Sequence, residues 1–206
     1  MNDVILVGGF LETVELCELC GYNIVGIIDS AHEETFVGYK IIGDDKDAPE
    51  IYKRHPDTPL IITPDKPLTR QKIVQWYSKI GFRFETLISP RAFISPSAII
   101  GEGVIIQSFC NISSNVILGD FVKINTYANI MHDCNIGDYT TIAPNAVLLG
   151  TVKTGTQVYI GAGSTIIQNN TIGCNSMVGA GAVVTKDVDD NATVVGVPAK
   201  KHEGIK

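Results

Sequence analysis

The sequence predicts two domains, an α/β unit over residues 1–88 and a parallel β-helix over residues 89–206, and three observations carry that reading. Fifteen of the sixteen residues at positions 94, 100, 106 and onward by sixes to 184 are Ile, Leu or Val, with Thr154 alone breaking the series. Four places after most of them stands a compact residue, as at Ala98, Val104, Cys110, Val116, Val122 and Ala128. Before residue 88 the six-residue frame is absent, and short apolar runs alternate with helical stretches instead. A period of six sustained over such a length marks a hexapeptide-repeat β-helix.

Within the first domain, Val4-Ile5-Leu6-Val7 reads as a buried strand closing on Gly8-Gly9. Glu12 to Cys20 follows as a helix and Asn23 to Asp29 as a second strand, which makes a βαβ unit. A strand at Leu60-Ile61-Ile62-Thr63, a helix over Thr69 to Ile80 and a strand near Phe84 to Ile88 continue the alternation. The expected result is a small parallel sheet covered by helices. Pro90 and Pro96 flank the junction with the repeat.

In the repeat, each hexad supplies one short strand whose side chains alternate in and out, so a single aliphatic residue fills a narrow core while the second inward place stays small. Three hexads close a triangular coil of about 18 residues, stacked on the next at about 4.8 Å. Residues eighteen apart therefore lie above one another. Gly101, Gly119, Gly137, Gly155, Gly161, Gly173 and Gly179 directly follow a residue of the column, aliphatic except at Thr154. They are expected to give the corners freedom in φ.

Bulk properties exclude some classes. A net charge of -6 without a basic run argues against nucleic-acid binding. No stretch reaches the roughly 20 apolar residues of a membrane span. Met1-Asn2-Asp3 runs straight into a strand rather than a charged leader, which predicts a cytoplasmic protein. Cys110 and Cys134 occupy the small inward place, and Cys17 and Cys20, one helical turn apart without a second pair or a histidine cluster, read as core packing rather than a metal or redox pair.

Chemistry must come from polar side chains on the coil, and His132 is the only histidine there. Its hexad place is outward and Asp133 follows it; a carboxylate holding one ring nitrogen fixes the tautomer and raises the basicity of the other. A lone surface histidine is more often inert. Gly150, eighteen residues on, should stand one coil above, where its N–H could serve as an oxyanion donor.

Several motifs together carry a resemblance. They are Gly8-Gly9-Phe10 after the first strand, Ile27-Ile28-Asp29-Ser30 after the second, and the run from His132 to Asp138. Val178-Gly179-Ala180-Gly181-Ala182-Val183-Val184, Lys186-Asp187-Val188 and the ending Val195-Gly196-Val197-Pro198-Ala199-Lys200 complete the set. Over nearly its whole length the chain resembles the bacterial nucleotide-sugar acetyltransferases of the NeuD/PglD type. The resemblance implies a Rossmann-like first domain, a left-handed β-helix, a homotrimer with acetyl-CoA between adjacent coils, and no metal. It implies His132 as general base, Asp133 as its supporting acid, and Gly150 as the glycine whose N–H faces the acetyl carbonyl. Thr141, Ala162 and Ala180 match acetyl-CoA contacts, Gly8, Gly9 and Phe10 the nucleotide-sugar loop, and Asp29 and Ser30 the pair that reads the nucleoside. Leu11 replaces a glycine, Asp29-Ser30 replaces an acidic pair, and Thr141 stands where some members carry histidine.

The expected reaction is acetyl transfer from acetyl-CoA to the amine of a nucleotide-linked amino-deoxy sugar, directly and without an acyl-enzyme. An acceptor held by both domains must be longer than a free monosaccharide. O-acetylation of sialic acid or another surface sugar, and a non-catalytic trimer that senses nucleotides, are the competing readings. A γ-type carbonic anhydrase is disfavoured because His32, His55 and His202 all lie outside the repeat. Bare glycines at Gly8-Gly9 could equally serve a tight turn, and Lys200 and Lys201 either meet coenzyme phosphates or solvate the tail.

Overall fold

A computed structural model describes residues 2–31 and 34–202; Met1 and His32, named above, lie outside the described residues. The chain divides into two compact units, Met1–Leu87 and Ile88–Lys206.

The first unit is an α/β sandwich. Strands β1 (Asp3–Val7), β2 (Asn23–Ile28), β3 (Thr35–Phe36), β4 (Tyr39–Gly43) and β5 (Leu60–Ile62) lie in the order β3-β4-β2-β1-β5. The pairs β1–β2, β1–β5 and β2–β4 are parallel, which brings the C-terminal ends of these strands to one edge. Helices α1 (Leu11–Leu19), α2 (Ala48–Arg54) and α3 (Pro67–Ile80) connect or follow them. The apolar runs Val4 to Val7 and Leu60 to Ile62 are buried along their whole length, as strands covered on both faces require. Proline in the first turn starts α3, and Gly81, left-handed at φ 112°, ends it.

Three features differ from the sequence expectation. The sheet is mixed, because β3 and β4 form an antiparallel hairpin. Helix α2 is an additional element. The strand expected near Phe84 to Ile88 forms only in part: Phe84 makes an isolated parallel bridge to Leu60, and the two-residue strand Leu87–Ile88 belongs to the sheet that runs along the coil.

In the second unit two-residue strands recur every six residues and pair with the strand eighteen further on, as in Asn111↔Asn129 and Ile117↔Asn135. Three walls result. Wall one holds Ile105–Ile106, Lys123–Ile124, Thr141–Ile142, Tyr159–Ile160 and Met177–Val178. Wall two runs from Phe93–Ile94 to Val183–Val184 and wall three from Ile99–Ile100 to Thr171–Ile172. The aliphatic column is buried, and each such side chain contributes roughly 1.5–3 kcal/mol. Thr154 is tolerated in that column because its hydroxyl accepts the Gly137 N–H at 3.0 Å and meets Thr140 Oγ1 at 3.5 Å. The last coil is two residues short: Met177 pairs with Thr193 and Ile172 with Val188.

The corner glycines are explained differently from the expectation. The left-handed residue sits three places after the aliphatic one, at Phe109, Asn115, Phe121, Tyr127, Asp133, Tyr139, Asn145 and Thr151 among others, and at Gly103, Gly163 and Gly181. Gly101, Gly119, Gly137, Gly155 and Gly173 are not left-handed. They stack in one corner column, where an added Cβ would meet the next coil's backbone; on Gly101 it would lie 2.7 Å from the Gly119 carbonyl. Close approach, not φ, demands glycine there.

Candidate active site

His132 and Asp133 occupy the corner between strand Asn129–Ile130 of wall two and strand Asn135–Ile136 of wall three. Asp133 is left-handed at φ 60°, a conformation that Asp and Asn accept more readily than most residues. That turn brings its carboxylate back onto the neighbouring ring, with Oδ2 2.8 Å from His132 Nδ1. From the coil below, Asn115 Nδ2 donates to Asp133 Oδ1 at 3.0 Å. The imidazole first and the Asn115 amide second hold the Asp133 carboxyl below the usual carboxylate range, so it is ionised at neutral pH. An ionised carboxylate can only accept, so Nδ1 carries the proton and, in the neutral ring, the lone pair lies on Nε2.

Gly150 completes the corner one coil above. The Thr151 N–H donates to the His132 carbonyl at 2.9 Å, seating this turn on the histidine. A Cβ added to Gly150 would lie 2.7 Å from His132 Nε2 and 2.6 Å from Cε1. The free nitrogen therefore faces bare backbone at Gly150, and no described residue accepts the Gly150 N–H. The arrangement offers a proton acceptor and an unspent backbone donor side by side. Nearby Cys134 is no nucleophile, since burial pushes its thiol up to about 11.

The remaining candidates on the coil lie apart. Ala162 and Ala180 are exposed neighbours in the column of the corner between walls one and two, so wall two separates them from His132 and Gly150. Thr141 lies on wall one with 0% exposure, closed to solvent within the chain. Lys200 and Lys201 form an exposed antiparallel strand against Thr193–Val195.

In the first unit the candidates share the C-terminal edge of the sheet, where open α/β folds bind ligands. Gly8 is left-handed at φ 98°, and an added Cβ there would strike Thr63 Oγ1. Its N–H donates to the Ile28 carbonyl at 2.9 Å. Asp29 clamps the loop by accepting the Gly9 N–H at 2.5 Å and the Ala31 N–H at 2.6 Å. Both glycine amides are thus spent within the unit, and Gly8-Gly9 acts first as the tight turn into α1. Phe10 and Ser30 are exposed on the same edge.

Asn115 escaped the sequence reading, although it stands eighteen residues before Asp133 and the period alone could have found it. Asp29 as a loop clamp had no such signal. Among the described residues, no group of three or more His, Cys, Asp or Glu is placed to hold a metal ion, and no helix is long and apolar enough to cross a membrane.

Comparison with known proteins bears on both units. Residues 115–150 match the bacterial transferase hexapeptide (six repeats) family model. No curated protein sequence matches the chain. Among solved structures, a mutant of GDP-perosamine N-acetyltransferase from Caulobacter crescentus, in complex with CoA and GDP-perosamine, is 31% identical. The match covers 99% of this chain and 98% of that one at a TM-score of 0.93. The acetyltransferase domain of PglB from Neisseria gonorrhoeae is 28% identical over 98% of this chain and 100% of its own, with a TM-score of 0.89. WeeI from Acinetobacter baumannii is 29% identical over the same shares, at 0.84.

Proposed function

Because the chain belongs to the NeuD/PglD-type sugar acetyltransferases, coenzyme A-dependent enzymes built on a left-handed β-helix, we propose that it N-acetylates a nucleotide-linked amino-deoxy sugar with His132 as general base. The observation that carries the proposal is the corner itself, where Asp133 fixes the proton on Nδ1 and turns Nε2 toward Gly150.

The acceptor amine must be neutral to attack a thioester carbonyl. As the C–N bond forms, His132 Nε2 takes the proton that the nitrogen sheds, and Asp133 stabilises the resulting imidazolium. Negative charge then gathers on the former carbonyl oxygen. The Gly150 N–H is the donor for it, a role whose loss typically costs about 2.7–4 kcal/mol in barrier. Collapse breaks the C–S bond, coenzyme A leaves as the thiolate, and the imidazolium gives its proton to that sulfur, which restores the neutral base. An imidazole is a better match for an ammonium-derived proton than for an alcohol, which favours N- over O-acetylation.

Gly8, Gly9 and Phe10 with Asp29 and Ser30 are assigned to the nucleotide, supported by their common sheet edge and by the relative with GDP-perosamine bound over nearly the same length. Acetyl-CoA is assigned to Gly150, Ala162, Ala180 and Thr141, with Thr141 acting from beneath the surface. Within one chain the His132 side chain is 57% exposed, and the coenzyme residues lie at opposite edges of wall two. A second copy closing over that wall would bring such half-sites together, and the family resemblance sets the number at three, so the active form is a homotrimer with composite sites. Light scattering showing a fully active monomer would refute the assembly.

The deciding experiment follows thiol release from acetyl-CoA with UDP-, dTDP- and GDP-linked amino sugars and with free sialic acid at equal concentrations, identifying products by mass spectrometry. Removing the nucleotide should cost most of kcat/KM, since remote binding energy positions the amine. Equal or faster acetylation of sialic acid would replace the reading with O-acetylation. No turnover with any acceptor, together with thermal stabilisation by nucleotides alone, would leave a nucleotide-sensing scaffold.

A further inference from the structure

The corner that holds His132 differs from the other two in what its left-handed residues do. In the lower coils of those two corners they stack as rings, Phe109 on Tyr127 with centroids 5.1 Å apart and Phe121 on Tyr139 at 5.3 Å, and a polar rung returns only higher up, where the Asn175 amide donates to Asn191 Oδ1. At the His132 corner the polar contacts form a ladder that runs through the imidazole ring itself. The Ser97 hydroxyl accepts the Asn115 N–H at 3.0 Å, the Asn115 amide donates to Asp133 Oδ1 at 3.0 Å, and Asp133 Oδ2 takes the imidazole Nδ1–H at 2.8 Å.

We propose that Asn115 is a positioning residue for the acetyl transfer, acting on His132 only through Asp133. A carboxylate bonded through one oxygen can still rotate about its Cβ–Cγ bond. Asp133 is exposed, so water competes for the ring nitrogen whenever it swings. Anchoring Oδ1 from the coil below removes that rotation and leaves Oδ2 in one place. The imidazole then keeps a single tautomer and a single tilt, with Nε2 over Gly150. Asn suits the task twice, supplying the donor and accepting φ 57°. Its backbone is pinned in turn by Ser97, so the reference point for the histidine lies in a coil that meets no reacting atom.

The proposal rests on His132 being the base, and the test separates the two ideas. Asn115→Gly removes the amide while preserving the left-handed backbone, so the fold stays intact where Asn115→Ala would strain it. Its kcat should fall about tenfold, the low end of what groups orienting a functional side chain contribute at metal sites. KM for both substrates and the thermal midpoint should stay near wild type. In an Asp133→Asn background the same change should alter kcat by less than about twofold, since a residue acting through Asp133 has nothing left to act on. Nitrogen NMR of His132 should show Nδ1–H in the wild type and mixed tautomers in Asn115→Gly. Losses that add fully in the double variant, or an unchanged kcat in Asn115→Gly while His132→Ala is inactive, would overturn the role of Asn115 alone. Wild-type rates in His132→Ala would overturn both.

Discussion

Gly8 in the α/β unit sits at φ 98°, in the region that favours glycine, whereas Gly101, Gly119, Gly137, Gly155 and Gly173 in the coil lie outside it. The coil glycines are glycine because the next coil's backbone leaves no room for a Cβ. The same division runs through the polar contacts of the two units. In the coil, partners lie one coil apart: Asn115 with Asp133, His132 with Gly150, and Thr151 with Asn169. In the α/β unit, Asp29 holds Gly9 across a distance in sequence set by the length of α1 and its turns. One unit builds its site by counting and the other by topology. That predicts chemistry concentrated in the coil and substrate address in the sheet edge.

The hardest test of that division is His132→Ala, which should lower kcat by about 10²–10⁴ with thermal unfolding unchanged. Steady-state kinetics alongside calorimetry decides it, and a loss confined to KM would erase the contrast between the units.

Next in size are the glycines. Gly137→Ala should destabilise by roughly 1–3 kcal/mol or more, because the obstacle is the Gly155 carbonyl and backbone cannot step aside. Gly8→Ala should cost a similar amount, roughly 1–3 kcal/mol, from φ strain and from Thr63 Oγ1. Only the second is relieved by a partner. In a denaturant double-mutant cycle Thr63→Ala should recover part of the Gly8→Ala loss, while no side-chain change near Gly155 should recover Gly137→Ala. Additivity at Gly8 would remove the side-chain part of that explanation.

Asp29→Asn should have a smaller effect. It weakens the clamp on the Gly9 and Ala31 amides, so KM for the nucleotide-linked sugar should rise about tenfold, about 1.4 kcal/mol, with kcat near wild type. A fall in kcat at saturating substrate would move this edge from address to chemistry.

The smallest effect concerns pH. The folded Asp133 carboxyl lies below its ordinary value of 3.8, so its contribution to stability is fully present above that value. It fades as pH falls through the lowered folded value. The difference in thermal midpoint between the protein and Asp133→Asn should therefore persist down to about pH 4 and narrow below it. A difference that narrows between pH 5 and 8 would point to another group.

What the sequence disclosed follows the same line. The column from Ile94 to Val184, its inward small places and the facing of His132 and Gly150 could all be read, because each depends only on a constant rise per coil. The hexad also marks a corner without saying which residue turns it. For that reason the pattern points to the glycines as turn residues, although Asn115, Asp133 and Thr151 do the turning. Helix α2 is only seven residues and β3 only two, too short for a periodic signal. Phe84 to Ile88 has strand-like residues, but its pairing is settled by which neighbour is in reach. Thr141 holds its outward place in the hexad and is nevertheless buried, which no local pattern records.

A chain whose neighbours are fixed by counting has a particular relation to insertion and deletion. Loss of one residue between Asn115 and Asp133 would shift every later outward side chain by one place, sending the aliphatic column out and parting the amide from its carboxylate. Addition of a whole eighteen-residue coil beyond Asn169 would leave every contact of the ladder where it is. Length variation in this half of the molecule is therefore quantised. It comes in complete coils, or in excursions that leave a corner and return to it in register, while the α/β half is free to lengthen its surface turns one residue at a time.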